Sequence, residues 1–173
     1  MKKAFALLMY PQGGIIVSSV MSGNGIGYIG QLLTTELGVI VRMGTYDCFL
    51  EGAAHIKERP ADEIIIIGGT SLGACNSPWM AAAAYPRKVS YMFCIQPSMW
   101  GQRHDIPANV VEARLITSPF WMTMGYGSRT IVPQAGNTTT KIVRQTTYHP
   151  HPGDNFKDVR NPILSDVQRI LKQ

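Results

Sequence analysis

Glu63-Ile64-Ile65-Ile66-Ile67-Gly68-Gly69-Thr70-Ser71-Leu72-Gly73 is the stretch on which the fold turns. Four consecutive isoleucines cannot alternate between core and water. They predict a strand covered on both faces, as in a parallel sheet. The glycines that follow end the strand, and Leu72–Ala84 continues as a helical run of small residues that closes near Pro86. A strand that enters a helix through so short a turn is a βα unit.

Working outward, the same alternation recurs. Tyr28–Leu37 has helical spacing and stops at Gly38, Val39–Met43 is a short strand, and Tyr46–Glu58 is a helix closed by Pro60. At the start, Ala4–Tyr10 is expected to turn through Pro11-Gln12-Gly13-Gly14 and form a hairpin with Ile15–Met21. Beyond the isoleucines, Ser90–Ile95, Ala113–Thr117 and Lys141–Thr147 read as strands. Pro162–Leu171 reads as a closing helix, with Asn161 as N-cap and Pro162 at its first position. The pattern predicts one α/β domain over residues 1–173, a three-layer sandwich with a mainly parallel sheet. Pro119–Thr140, rich in Gly, Thr, Met and aromatics, is long for a plain connection and is expected to be functional.

Composition narrows the function classes. Of 173 residues, 45% are hydrophobic and 16% charged, which suits a packed core and excludes a disordered chain. No run reaches the ~18 apolar residues of a membrane span. Cys48, Cys75 and Cys94 are scattered, matching neither a disulfide framework nor a zinc site; they read as reduced core thiols in a cytoplasmic setting. The net charge is +5, but the basic residues come singly or in pairs without interleaved aromatics, so nucleic acid is not expected as a partner. Met1-Lys2-Lys3 and the apolar Ala4–Met9 imitate the start of a secretory signal. The run is short and lacks an A-x-A-like cleavage site, so export is disfavoured. A homo-oligomer stays compatible with all of this.

Gly69-Thr70-Ser71-Leu72-Gly73 fits G-x-S-x-G, and its value lies in context: a strand runs in and a helix runs out, the setting of a nucleophile elbow. The plainer alternative is a tight turn with Ser71 as a helix cap. With these residues in this order, the chain resembles the α/β-hydrolase family, in particular its small, lidless, lipase- or cutinase-sized serine esterases. The resemblance implies a nucleophile at Ser71 and an oxyanion hole from the Leu72 N–H with the Ser22-Gly23-Asn24-Gly25 loop. It implies a base just past the last strand, where His149 and His151 stand, with His149 nearer the strand. The acid is expected after Ala113–Thr117, yet Ser118–Thr140 contains no Asp or Glu. Gln96 follows the preceding strand with Asp105 further on, and Asp154 follows both histidines. Asp154 ranks above Asp105, with a dyad, a carbonyl or Asn137 as alternative ways to orient the imidazole. No cofactor or metal is implied. The short connection Gln96–Glu112 leaves no room for a helical lid, so a small ester is the expected substrate. Trp79, Trp100, Phe120, Trp121 and Tyr126, with Met122 and Met124, are candidates for an acyl pocket, a partner surface or plain core. His55 and His104 read as structural or solvated.

Two other readings compete. A non-catalytic α/β-hydrolase-like module for binding or assembly is favoured by the missing acid. Gly25-Ile26-Gly27-Tyr28-Ile29-Gly30 fits G-x-G-x-x-G, as in dinucleotide-binding folds, although the acidic residue expected after the next strand is poorly placed.

Overall fold

The computed structural model describes residues 2–10, 25–99, 101–102, 104–119, 130–147 and 157–173. Six strands are present among them: β1 (Ala4–Tyr10), β2 (Ile40–Thr45), β3 (Ile64–Thr70), β4 (Tyr91–Ile95), β5 (Glu112–Thr117) and β6 (Lys141–Thr146). Four helices accompany them: α1 (Ile26–Leu37), α2 (Phe49–Glu58), α3 (Leu72–Ala83) and α4 (Lys157–Leu171). The strands form one sheet in the order β2-β1-β3-β4-β5-β6, and every pairing is parallel.

The isoleucine run explains the layers. Along β3, Ile64 and Ile66 point into a core shared with Ile29 and Leu33 of α1 and Val159, Ile163 and Val167 of α4. Ile65 and Ile67 point the other way, against Ala53 and Ile56 of α2 and Ala74 and Met80 of α3. Each isoleucine is at most 7% exposed, worth about 1.5–3 kcal/mol per side chain. The result is three layers, α1 and α4 over one face and α2 and α3 over the other.

The order also contains a reversal. From β1 the chain crosses through α1 to β2, then returns past β1 through α2 to β3 and continues outward. Crossovers of one hand running in opposite directions place their helices on opposite faces. The strand order therefore reverses between β1 and β3, and in open α/β sheets ligands bind beyond the carboxyl ends of the strands at such a point.

The mainly parallel three-layer sheet is as expected, and two other expectations are corrected. The hairpin fails because both edges of β1 are occupied: Phe5–Tyr10 pair with β2 and Ala4–Met9 with β3, both in parallel. All seven residues of β1 are buried, as a central strand requires. Finally, α4 begins at Lys157, so Asn161 is no N-cap and Pro162 lies inside the helix. Proline cannot donate to the carbonyl of Asp158. Gln145 Nε2 on β6 donates to that carbonyl instead, at 2.5 Å, a tertiary bond that local sequence cannot announce. The other boundaries shift by a few residues, as at α2, which starts at Phe49. Gly38 ends α1 as expected, in the left-handed conformation at φ 65°.

Candidate functional site

Ser71 joins β3 to α3 with φ 54° and ψ −115°. This lies outside the small left-handed region, whose ψ is positive, and costs a non-glycine residue on the order of 1–3 kcal/mol. The surroundings impose it. The Ser71 N–H donates to the Ile95 carbonyl at the end of β4 (2.9 Å), and the Ser71 carbonyl accepts from Cys75 N–H and Ser98 N–H, both at 3.2 Å. The flanking glycines are compulsory. A Cβ on Gly69 would fall 2.3 Å from the Gly73 backbone, and one on Gly73 would fall 2.5 Å from the Met9 carbonyl oxygen. Strand and helix touch backbone to backbone here.

The helix-cap alternative fails on geometry, since the Ser71 side chain makes no cap hydrogen bond. Leu72 is the first residue of α3, so its N–H has no carbonyl one turn back within the helix. The end of β1 meets Gly73, the residue after Leu72. Ser22, Gly23 and Asn24, the expected remainder of the oxyanion loop, lie outside the described residues. So do the strand Ile15–Met21, His149, His151 and Asp154, and Trp100, Phe120, Trp121, Met122, Met124 and Tyr126.

The alternatives for the acid move away from Ser71. Asn137 precedes β6 and donates to the Ile106 carbonyl (3.0 Å) and to Thr140 (2.8 Å), at the amino end of the sheet. Ser71 stands at the carboxyl end, so Asn137 orients no imidazole there. Asp105 adjoins His104, whose ring stacks on Trp79 at 4.4 Å, itself stacked on Phe49 at 3.9 Å. Trp79 is about two turns along α3 from Ser71. Burial lowers the His104 pKa against the opposing charge of Asp105, and the ring packs in this stack. His55 sits on α2 beside Glu51, 3.5 Å away.

The remaining sequence candidates find structural roles. Cys75 and Cys94 are buried, and burial pushes the Cys94 thiol far above its ordinary value, so it is no nucleophile. Among the described residues no group of three His, Cys, Asp or Glu side chains could hold a metal ion. In the G-x-G-x-x-G stretch, Gly25 precedes α1 at φ 91°, but β1 ends at Tyr10, so no tight turn links that strand to the first glycine. Gly30 has a packing reason: a Cβ there would press on Met43, Leu8 and Val41 at 3.1–3.3 Å.

The sequence marks Gln96 as the residue after a strand, but its conformation comes only from the structure. Gln96, at the end of β4, has φ 44°, and its Nε2 donates to Ser118 Oγ at the end of β5 (2.6 Å). Nothing local signals it, because a residue before proline is normally held extended. No protein-family model, curated protein or solved structure matches this chain.

Proposed function

We propose that the chain is a serine hydrolase that cleaves a carboxylic ester or thioester through an acyl-enzyme intermediate. The observation that carries the reading is Ser71, held at φ 54° between strand and helix at the carboxyl end of β3, next to the point where the strand order reverses. Strain at a residue with no capping role is what a presented nucleophile requires. In the reaction, Ser71 Oγ attacks the carbonyl carbon while its proton passes to an imidazole. The Leu72 N–H, with donors from the Ser22–Gly25 loop, stabilises the oxyanion. The C–O or C–S bond then breaks, the imidazole returns the proton to the leaving group, and water releases the acid by the same route.

The base comes from the chain after β6, His149 or His151. β6 lies three strands from β3, about 14 Å at ~4.8 Å per strand. An extended chain covers at most ~3.6 Å per residue. Past Thr147, two residues span about 7 Å and four span about 14 Å. Reach therefore favours His151, with Asp154 three residues on to orient it, whereas proximity to the strand favours His149. The connection from β4 to β5 has no helix among its described residues, which suits a site without a helical lid and a small ester as substrate.

A fluorophosphonate probe tests the reading. The wild-type chain should be labelled rapidly and Ser71→Ala not at all, with p-nitrophenyl acetate hydrolysis falling in parallel. Alanine at the true base should cost roughly a thousandfold in turnover. A second reading, a non-catalytic module of α/β-hydrolase type, draws on the absence of Asp and Glu from Ser118–Thr140. An unlabelled wild-type chain would select it.

A further inference from the structure

We propose that the chain forms a two-fold symmetric dimer by antiparallel pairing of β2 with β2 of a second copy. The register sets Arg42 opposite itself, Val41 opposite the partner's Met43 and Ile40 opposite the partner's Gly44. The interface lies on one edge of the sheet and is independent of the chemistry of Ser71.

The edge itself is the first ground. β2 and β6 end the sheet, and among the described residues neither pairs with a strand on its outer side. An open edge is a template for another chain, which proteins guard with Lys, Pro, a bulge or a very short strand. β6 is guarded by Lys141 at its start and Arg144 within it. β2 has six residues with neither Lys nor Pro, and its register on β1 runs unbroken from Ile40 to Thr45, without a bulge. Its single charge, Arg42, is matched by Glu51 of α2 at 2.9 Å, and Ile40 is 53% exposed.

The second ground is shape. Side chains directly opposite in an antiparallel pair share a face of the sheet. The register on β1 places Ile40, Arg42 and Gly44 on the face of Phe5, Leu7 and Met9, and Val41 and Met43 on the face of Ala6 and Leu8. With Arg42 at the axis, each exposed Ile40 falls opposite a glycine. Gly44 leaves that space open, since a Cβ built on it finds its nearest neighbour, Cys48 Cβ, at 3.7 Å. On the other face the half-buried Val41 and Met43 complete each other's cover. A slip of one step either way loses this fit. It sets Ile40 against the Arg42 charge, or carries Ile40 past the end of the partner strand at Thr45.

The third ground is charge, and it selects a second copy over an unrelated extended peptide. Two opposed arginines repel on their own. Each copy brings its own carboxylate, because Glu51 already holds Arg42. The axis then carries two guanidinium groups and two carboxylates in alternation, an arrangement that strengthens both ion pairs. A peptide would have to supply that carboxylate itself.

Sedimentation velocity on the full chain is the test. Wild type should be dimeric at about 50 μM, with a Kd on the order of 10 μM, as suits a small interface. Gly44→Val has room within its own chain and favours a strand, so it should fold. It sets a branched side chain against Ile40 of the partner subunit and should weaken association at least about tenfold. Adding Ile40→Ala clears the clash, and the double variant should dimerise again. Glu51→Lys, at a side chain 61% exposed, should also dissociate the dimer by leaving four cations at the axis. Should Gly44→Val not fold, Ile40→Lys at the exposed position should give the monomer. A wild-type chain that is monomeric at about 200 μM overturns the proposal. So does a Gly44→Val or Ile40→Lys chain that associates like wild type, which would put the dimer on another surface. A folded double variant that stays monomeric overturns the register and the proposal with it.

Discussion

The two ends of the sheet are built on opposite principles. At the amino end and along α4, polar groups are tied together. Asp166 accepts from Tyr91 Oη (2.9 Å) and Arg114 Nε (2.8 Å), and Arg114 also reaches Gln145. Arg169 and Lys141 meet the buried Glu112 at 2.6 and 3.4 Å. Arg59 binds Glu63 through two bonds, and Arg87 holds the carbonyls of Pro60, Ala61 and Glu63. At the carboxyl end, around Ser71 and Gln96, the backbone is strained and the serine hydroxyl is spared from capping. One end is marked by ion-paired side chains; the other by strained backbone at Ser71 and Gln96. Under the proposed reading, the strained end is the one that would carry the chemistry.

The largest effect expected from breaking the comparison is at Gly73. Gly73→Ala drives a methyl group against the Met9 carbonyl, and neither backbone can retreat without parting β1 from α3. A loss of more than about 3 kcal/mol, or failure to fold, should appear in urea unfolding. A stable, active alanine variant would show that the elbow is looser than its contacts imply.

Next comes Asp166→Ala, which leaves Arg114 and the Tyr91 hydroxyl without their shared acceptor. It should cost about 3 kcal/mol in stability and leave turnover within about twofold. A rate loss as large as the stability loss would join the two ends into one functional unit and end the contrast.

The same cluster sets a pH dependence. Burial pushes the Asp166 pKa up, but hydrogen bonds from Arg114 and Tyr91 pull it down further, so the net value is below the ordinary range. A depressed carboxylate stabilises the fold above its unfolded pKa, near ~3.9, and that contribution disappears as pH falls through the folded value. Burial, then Asp166, raises the Tyr91 phenol well above its ordinary value. Its contribution is complete below pH ~10 and is lost as pH rises beyond it. Thermal melts should fall off at both limits, and Asp166→Asn should flatten the acid side. An unchanged acid limb in that variant would place the sensitivity elsewhere.

The smallest effect sharpens the contrast. Ser71→Gly removes the strain along with the hydroxyl and should raise stability by about 1 kcal/mol while abolishing fluorophosphonate labelling. A destabilised glycine variant would mean that the serine side chain contributes packing rather than being held against its preference.

Much of this architecture is legible in the residues because its signals are local. Four isoleucines in a row specify a doubly covered strand wherever they occur, and Gly38 ends a helix through its own backbone freedom. The spacing of Gly69, Ser71 and Gly73 announces a close strand–helix passage, since only glycine lacks the atom that would obstruct it. What the residues could not announce depends on partners distant in sequence. Ala4–Tyr10 looks like one arm of a hairpin, because an apolar run before a Pro-Gly turn does not reveal that both its edges are filled by β2 and β3. Pro162 looks like a helix start, because the carbonyl it abandons finds its donor on β6. Asn137 and Asp105 look available to the site until the parallel register sends the first to the opposite end and the stack on Trp79 draws the second along α3. The pairing of Gln96 with Ser118 comes only from β4 lying beside β5. Local pattern set which segments are strand or helix and where the serine turns, because these depend on a residue's immediate neighbours. Strand order, and with it the groups that share the end of the sheet with Ser71, was decided by tertiary packing, where edges, carbonyls and buried charges find partners from anywhere in the chain.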